Sequence, residues 1–249
     1  MAPYYDADGI TIWHGDCRDI GPSLPPVDLV VADPPYGETS LLWDRWPDGW
    51  IAALPAVSSL WCFGSARMFD EYRDEFTGWK LAQDVIWDKG TAATGMVVDR
   101  FLRSHEHIRH YYRGQWAAIH HAAVKERVFN ATPGRRVRRP PQDPAWHGAR
   151  HASDWEDDGT RYMLTVWQVS NLVKAATHPT EKPLGVLLPI VSYACPPGGT
   201  VLDPMCGSGS TLDAARATGR RAIGIDADER WCEIAAHRLA QGVLFTECS

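Results

Sequence analysis

Residues 33–36 read Asp-Pro-Pro-Tyr and follow an apolar run, VDLVVA, that begins at Val27. Short, continuous and rich in β-branched residues, that run predicts a fully buried strand. It ends in a carboxylate, which when ionised only accepts hydrogen bonds, and in two residues with no backbone N–H to donate. The consecutive prolines restrict φ twice and stiffen the direction of the Pro34 carbonyl. A plain turn asks for none of this. The pattern suits a fixed set of acceptors, with an aromatic ring at Tyr36, that holds a ligand.

A second constellation lies at 201–211, VLDPMCGSGST. It reads as a strand, a glycine loop and a helix start. Gly207 and Gly209 let a ligand approach the backbone closely, and the helix behind them offers unpaired N–H groups. Asp226 ends the next strand, 23 residues after Asp203, and an acidic residue at about this spacing commonly binds ribose hydroxyls. Together these predict an adenosine-type cofactor. NAD wants a third glycine where this chain has Leu212, and no GK[ST] is present for a phosphate loop. Asp203 stands where a pyrophosphate would come near, which is electrostatically wrong for a dinucleotide and right for an ammonium or sulfonium group. S-adenosyl-L-methionine carries both. The alternative for this segment alone is a tight strand-to-helix turn with structural glycines.

The elements that must position these groups alternate. Strands are predicted at 9–13, 27–32, 58–64, 79–90 and 105–114, with a helical patch from about Ile51. Beyond residue 178 a helix is predicted with Thr180 as its N-cap and Pro183 near its first position. Its apolar face is expected at Leu184, Leu187, Leu188 and Val191. PPGG ends it. A strand to Asp203, a helix closed by Gly219, the strand RRAIGID and the helix ADERWCEIAAHRLAQG follow. This alternation predicts an α/β fold: one Rossmann-like, doubly wound, mostly parallel sheet in a single domain over 1–245. Such sheets bind ligands at the carboxyl ends of strands. Asp33 and Asp203, 170 positions apart, meet there if their strands are neighbours. Residues 114–160, rich in Pro, Arg, Asp and Gly, predict an irregular insertion with little core of its own.

The totals bound the class. The chain has 249 residues, 45% hydrophobic and 22% charged, which fits a soluble globular α/β domain. No stretch approaches about 18 uninterrupted apolar residues, so no membrane span is expected, and the N-terminus lacks a signal-peptide pattern. Six scattered cysteines without a CxxC pair argue against a zinc site and a disulfide framework and suit a reducing cytoplasm. Cys195-Pro196 is read as part of a structural turn. His105, His107 and His110 fall at strand spacing without a metal-ligand set, so no metal is expected. Net charge is −6, yet residues 100–139 hold ten basic residues against two acidic ones, and five histidines. Such a patch neutralises phosphates, or else is a solvated basic face.

The two constellations resemble a known pair. Asp33-Pro34-Pro35-Tyr36 is similar to the catalytic motif of the amino-methyltransferases of DNA, and VLDPMCGSGST to their cofactor motif, usually written DPFxGSGT. HPTEKP at 178–183, WDKG with Arg100, His105 and Glu106, and Gly15-Asp16 resemble further segments of that family. Catalytic motif first and cofactor motif last is the permuted β-type order of the N4-cytosine/N6-adenine methylases. The likeness covers most of 10–113 and 162–240 and leaves out 114–160. Two positions depart from the pattern. Met205 replaces the usual Phe, which softens the wall around the cofactor, and Ser210 replaces Thr but keeps a hydroxyl.

The resemblance implies an S-adenosyl-L-methionine-dependent DNA methyltransferase. An exocyclic amine of adenine or cytosine is a poor nucleophile because its lone pair is delocalised into the ring. Two acceptors aimed at its N–H bonds make the nitrogen more tetrahedral. Asp33 supplies one and the Pro34 carbonyl the other, Pro35 stiffens the pair, and Tyr36 is a stacking platform for a base flipped from the duplex. The implied cofactor residues are Asp16, Thr180, Lys182, Pro183, Asp203, Pro204, Gly207, Ser208, Gly209, Ser210 and Asp226. Asp16 is otherwise a turn residue and Thr180 a helix cap. Trp43, Trp46 and Trp50 form a lid over the base or pack in the core. Arg135, Arg136, Arg138 and Arg139, in the candidate target-recognition segment, are expected to contact phosphates, or else belong to a solvated loop. N6 of adenine is the expected target and N4 of cytosine the alternative. A non-catalytic DNA-binding module is the competing class, and methylation of RNA or protein amides keeps the same motif logic. DNA is the expected partner; monomer and homodimer both remain open.

Overall fold

The computed structural model describes residues 2–90, 99, 101–127, 134, 136–139, 153–170 and 181–241. The chain divides into two compact units, Met1–Ala122 with Thr165–Ser249, and Ala123–Leu164. In the first, the apolar runs become strands of one sheet. β1 (Tyr5–Ala7) and β2 (Ile10–His14) form a hairpin. Its two turn residues, Asp8 and Gly9, have φ of 52° and 77°, as a two-residue type I′ turn requires. α1 (Cys17–Ile20), β3 (Leu29–Ala32), β4 (Ser59–Gly64), α2 (Ala66–Glu71), β5 (Lys80–Asp88) and β6 (His105–Tyr112) follow. The second unit holds β7 (Lys125–Arg127), β8 (Arg136–Arg139), β9 (Ser153–Glu156) and β10 (Thr160–Tyr162). The first resumes with β11 (Val166–Gln168), α3 (Leu184–Ala194), β12 (Thr200–Asp203), α4 (Ser210–Ala217), β13 (Arg221–Asp226) and α5 (Glu229–Ala240).

The sheet order is β1-β2-β13-β12-β3-β4-β6-β5-β11. From β2 to β4 every neighbouring pair is parallel, whereas β6 runs antiparallel to both β4 and β5. Every residue of β3 and β4 is buried, as expected of central parallel strands covered on both faces. The doubly wound, mostly parallel sheet expected from the alternation is therefore present. β12 pairs with β3 in the register Val201↔Leu29 and Leu202↔Val30, which makes the two motif-bearing strands neighbours. Among the described residues no helix is long and apolar enough to cross a membrane.

Three local expectations are corrected. The patch from Ile51 is turn rather than helix; Trp50 and Ile51 are buried there without one. Pro47, Gly49 and Pro55 crowd that stretch and prevent a helical ladder. The helix expected to be capped by Thr180 has Pro183 at its N-cap position and no side-chain cap; Thr180 itself lies outside the described residues. Its buried face is Val186, Leu187, Ile190, Val191 and Ala194, not the one through Leu184 and Leu188. LGVLLPIVSYA is apolar nearly all round, so no polar face fixes its rotation.

The second unit, expected to be irregular, contains two short antiparallel ladders, β7 with β10 and β8 with β9. Charged pairs hold the first: Lys125 Nζ lies 2.7 Å from Asp158 Oδ2, and Arg161 Nε lies 2.9 Å from Glu126 Oε1. None of its residues with described side chains is buried. Residues 114–122 fall in the sheet-bearing unit, where the Trp116 ring packs 5.2 Å from that of Tyr112.

Candidate active site

Four carboxylates stand in a row at the carboxyl ends of four adjacent parallel strands. Asp16 follows β2, Asp226 ends β13, Asp203 ends β12 and Asp33 follows β3. Adjacent strands are about 4.8 Å apart, so the row spans roughly 15 Å. It begins at an N-cap: Asp16 accepts from the Arg18 backbone N–H at 2.8 Å and from its guanidinium at 2.5 Å. The Arg18 hydrogen bonds hold the Asp16 carboxyl below its usual range. The Gly15 N–H donates to the Asp226 carbonyl at 2.8 Å, which fastens Asp16 beside β13.

Asp226 ties down the glycine loop. Its Oδ2 accepts from Gly207 N at 2.8 Å and its Oδ1 from Asp228 N at 2.9 Å. Each oxygen keeps a lone pair for a further donor such as a hydroxyl. Gly209, at the N-cap position of α4, has φ of 82°, and a Cβ there would sit 3.0 Å from the Ala235 Cβ. Only glycine brings the loop this close to α5. The hydroxyls of Ser208 and Ser210 accept from Arg238 Nη1 at 3.3 and 3.2 Å. Pro204 follows Asp203 and is buried.

Asp203 is 4% exposed. Its Oδ1 accepts from Met205 N at 3.1 Å, and the Thr211 hydroxyl is a second donor. Burial pushes its carboxyl up to about 7 from an ordinary 3.8, with the charges of Asp33 and Asp226 adding to the rise. The folded state thus keeps this proton up to about pH 7, while the unfolded chain releases it near 3.8. The stabilising contribution is present at low pH and is lost as pH rises through that window. Asp203→Asn is expected to stabilise the ligand-free protein at pH 8 by roughly 2–4 kcal/mol and to change little at pH 4. Urea melts at the two pH values check this. A cationic ligand reverses the balance, because it favours the ionised carboxylate.

At the other end of the row Asp33 enters a charged cluster. Lys182 Nζ lies 2.5 Å from Asp33 Oδ2 and 3.5 Å from Glu106 Oε2. The Tyr36 hydroxyl donates to Asp33 Oδ1 at 3.0 Å and lies 3.4 Å from Glu106 Oε2. Lys89 pairs with the other Glu106 oxygen. The Lys182 ammonium also sits 5.2 Å from the centre of the Phe63 ring. Burial opposes charge on Lys182, but Asp33 and Glu106 outweigh it and its pKa is raised, so it stays an ammonium. Burial raises the Asp33 carboxyl, against the pull of Lys182. Burial would also raise Glu106, but Lys182 and Lys89 outweigh it and leave its carboxyl lowered. Burial raises the Tyr36 phenol well above its ordinary value, which keeps it a neutral donor. Pro34 is buried, Pro35 partly buried, and no peptide bond here is cis.

Lys182, expected on the cofactor side, therefore sits on Asp33. Its neighbour Glu181 points the other way, with Oε1 2.6 Å from Arg238 Nη2, the guanidinium that binds Ser208 and Ser210. One dipeptide before α3 thus ties the acceptor motif to the glycine loop, and Pro183, buried, starts the helix. Arg238 and Glu181 were not among the expected site residues; a lone Arg in a terminal helix carries no motif signal. Trp46 and Trp50 are core residues, whereas Trp43 is exposed. His107 pairs with Asp84 at 3.0 Å, and His110 is buried against Ser59 and Trp61. Cys195 is buried, which pushes its thiol up to about 12 and makes it a poor nucleophile. Arg136, Arg138 and Arg139 lie in β8, opposite Glu156, Asp154 and Ser153; Arg135 lies outside the described residues.

A DNA methylase family model, of the N6/N4 type, matches residues 27–237. Type II methyltransferase M.HinfI of Haemophilus influenzae is 24% identical over 93% of this chain and 68% of its own length. The crystal structure of the M1.HpyAVI–SAM complex has a TM-score of 0.61 at 22% identity, over 92% of this chain and 99% of that one. PvuII DNA methyltransferase, described as cytosine-N4-specific, has a TM-score of 0.64 at 14% identity, over 99% of this chain and 90% of its own. At these identities the structural likenesses show a shared fold.

Proposed function

The chain belongs to the N6/N4 DNA methylase family, and from that premise we propose that it methylates N6 of adenine in DNA at the Asp33 site. The observation that carries the reading is the pairing of β3 with β12, which sets the acceptor motif beside the glycine loop. The cofactor is S-adenosyl-L-methionine, and the residues fit it. Asp203 is a buried carboxylate for a positive charge, Asp226 keeps lone pairs for ribose hydroxyls, and Asp16 closes the row for the adenine end. Gly207 and Gly209 have no side chain to block a close approach to the loop backbone. When bound, the cofactor supplies a methyl group on a sulfonium.

The remaining work falls to this chain. Asp33 accepts a hydrogen of the exocyclic amine, and the Pro34 carbonyl, buttressed by Pro35, accepts the other. As the nitrogen gains its methyl group it sheds a proton, which passes to an Asp33 oxygen. A carboxyl raised by burial holds that proton better than an exposed one. Lys182 counters the rise that burial imposes on the Asp33 carboxyl, and Tyr36 orients it and offers its ring to the base. Thr180 and Pro183 remain candidates for the cofactor's amino-acid end. Arg135, Arg136, Arg138 and Arg139 supply phosphate contacts from the 114–160 segment, which carries target recognition.

The Asp-Pro-Pro-Tyr motif leans toward adenine within the family. The fold shared with a cytosine-N4-specific enzyme supports N4 of cytosine as the second reading. Expression in cells that lack DNA methylation, followed by sequencing of modified bases, decides between them. N6-methyladenine in a short recurring context is expected; N4-methylcytosine moves the target, and unmodified DNA rejects the reading.

A further inference from the structure

Five to seven residues beyond the acceptor motif the chain presents the most exposed apolar tip of that loop. Leu41, Leu42 and Trp43 are 50%, 84% and 54% exposed. Single exposed apolar residues need no explanation, but three in a row on a stiff support do. The support is built from both sides. The buried Asp44 carboxylate accepts from Gly37 N at 2.9 Å and from Thr39 N at 2.7 Å, which clamps the base of the loop. The Trp46 ring stacks on Tyr72, centroids 4.3 Å apart and planes within 5°. Within the tip, Asp44 N bonds the Leu41 carbonyl at 3.1 Å. Glu38, at the foot of the loop, pairs with Arg103 at 2.8 Å. Arg45 beside the tip is exposed, a cationic side chain next to the apolar ones. A loop that only needed to cover the site could be soft and polar; this one is rigid and apolar at its end.

We propose that Leu42 and Trp43 form a wedge that enters duplex DNA beside the target base and fills the space the base vacates when it moves to Asp33. The inference rests on the DNA methyltransferase reading. Unpairing and unstacking a base costs energy, and apolar side chains inserted between base steps recover part of it. Leu is a common wedge, and an indole stacks on any base face. The exposed Arg45 beside the tip suits a backbone phosphate next to the vacated position.

The test compares wild type with Leu42→Ala/Trp43→Ala on two duplexes that carry the methylated context found by sequencing. In one the target base is paired; in the other it is mispaired, so little energy is needed to free it. Both side chains are exposed, so the variant is expected to fold, and its S-adenosyl-L-methionine binding is measured alongside. A tenfold or larger loss on the paired duplex, with less than twofold loss on the mispaired one, is expected. Equal losses on both duplexes overturn the wedge, as would follow if the tip joined two copies of the chain. An unchanged rate on the paired duplex overturns it too. Wild type inactive on both duplexes would reject the proposed function and the wedge with it.

Discussion

Asp33→Ala is expected to reduce methyl transfer by on the order of 10²–10⁴-fold while leaving S-adenosyl-L-methionine binding nearly unchanged. The split follows from the row of carboxylates. In the proposed reading Asp33 faces the reacting amine, and Asp203 and Asp226 serve the cofactor. Removing Asp33 deletes both the acceptor that localises the nitrogen lone pair and the site that takes its proton. It also frees Lys182 from its 2.5 Å contact, so the ammonium turns wholly to Glu106. Isothermal titration gives the cofactor arm and single-turnover transfer the chemical arm. Transfer within tenfold of wild type would mean that another group accepts the amine.

Lys182→Met carries the second large effect. The ammonium lies within 3.5 Å of both Asp33 and Glu106 and is 8% exposed. Its loss leaves two partly buried carboxylates, Asp33 and Glu106, without the cation they share. Breaking a buried pair from one side typically costs about 3–5 kcal/mol of stability. The kinetic effect has a definite sign. Lys182 lowers the Asp33 carboxyl, so without it that carboxyl rises further. In the proposed reaction transfer needs ionised Asp33, so the acid limb of the pH–rate profile is expected to move to higher pH. Adding Glu106→Gln should recover much of the stability, since the remaining buried acid no longer faces a second negative charge. An acid limb at the wild-type position in Lys182→Met would show that the pair does not govern Asp33.

The parts legible in the chain were those with a local physical signature. Buried parallel strands announce themselves as short, largely apolar runs, and β3, β4, β12 and β13 lie where such runs predict them. Glycine at 207 and 209 marks a backbone that must be approached closely. Placement was less legible. Lys182 meets Asp33 across 149 residues, and nothing in HPTEKP tells which of its two charges faces which motif. The structure sends Glu181 to Arg238 and Lys182 to Asp33. Arg238 itself belongs to an ordinary amphipathic helix, and its role appears only once α5 packs behind the glycine loop. The rotation of α3 was hidden for the opposite reason: an almost wholly apolar helix has no polar face to read. The three tryptophans after Tyr36 look alike in sequence, yet Trp46 and Trp50 are core and Trp43 is not, a distinction made by Asp44 and Tyr72 rather than by the tryptophans.

The central claim is that the junction of β3 and β12 transfers a methyl group to an exocyclic amine of DNA. The most direct measurement incubates the purified protein with methyl-labelled S-adenosyl-L-methionine and unmethylated DNA of mixed sequence, then digests the DNA and identifies the labelled nucleoside. Label in N6-methyladenine is the expected result, with roughly a hundredth as much or less from Asp33→Ala in parallel. Label in N4-methylcytosine would change the target base and keep the chemistry. No labelled nucleoside from protein that binds the cofactor normally would contradict the assignment.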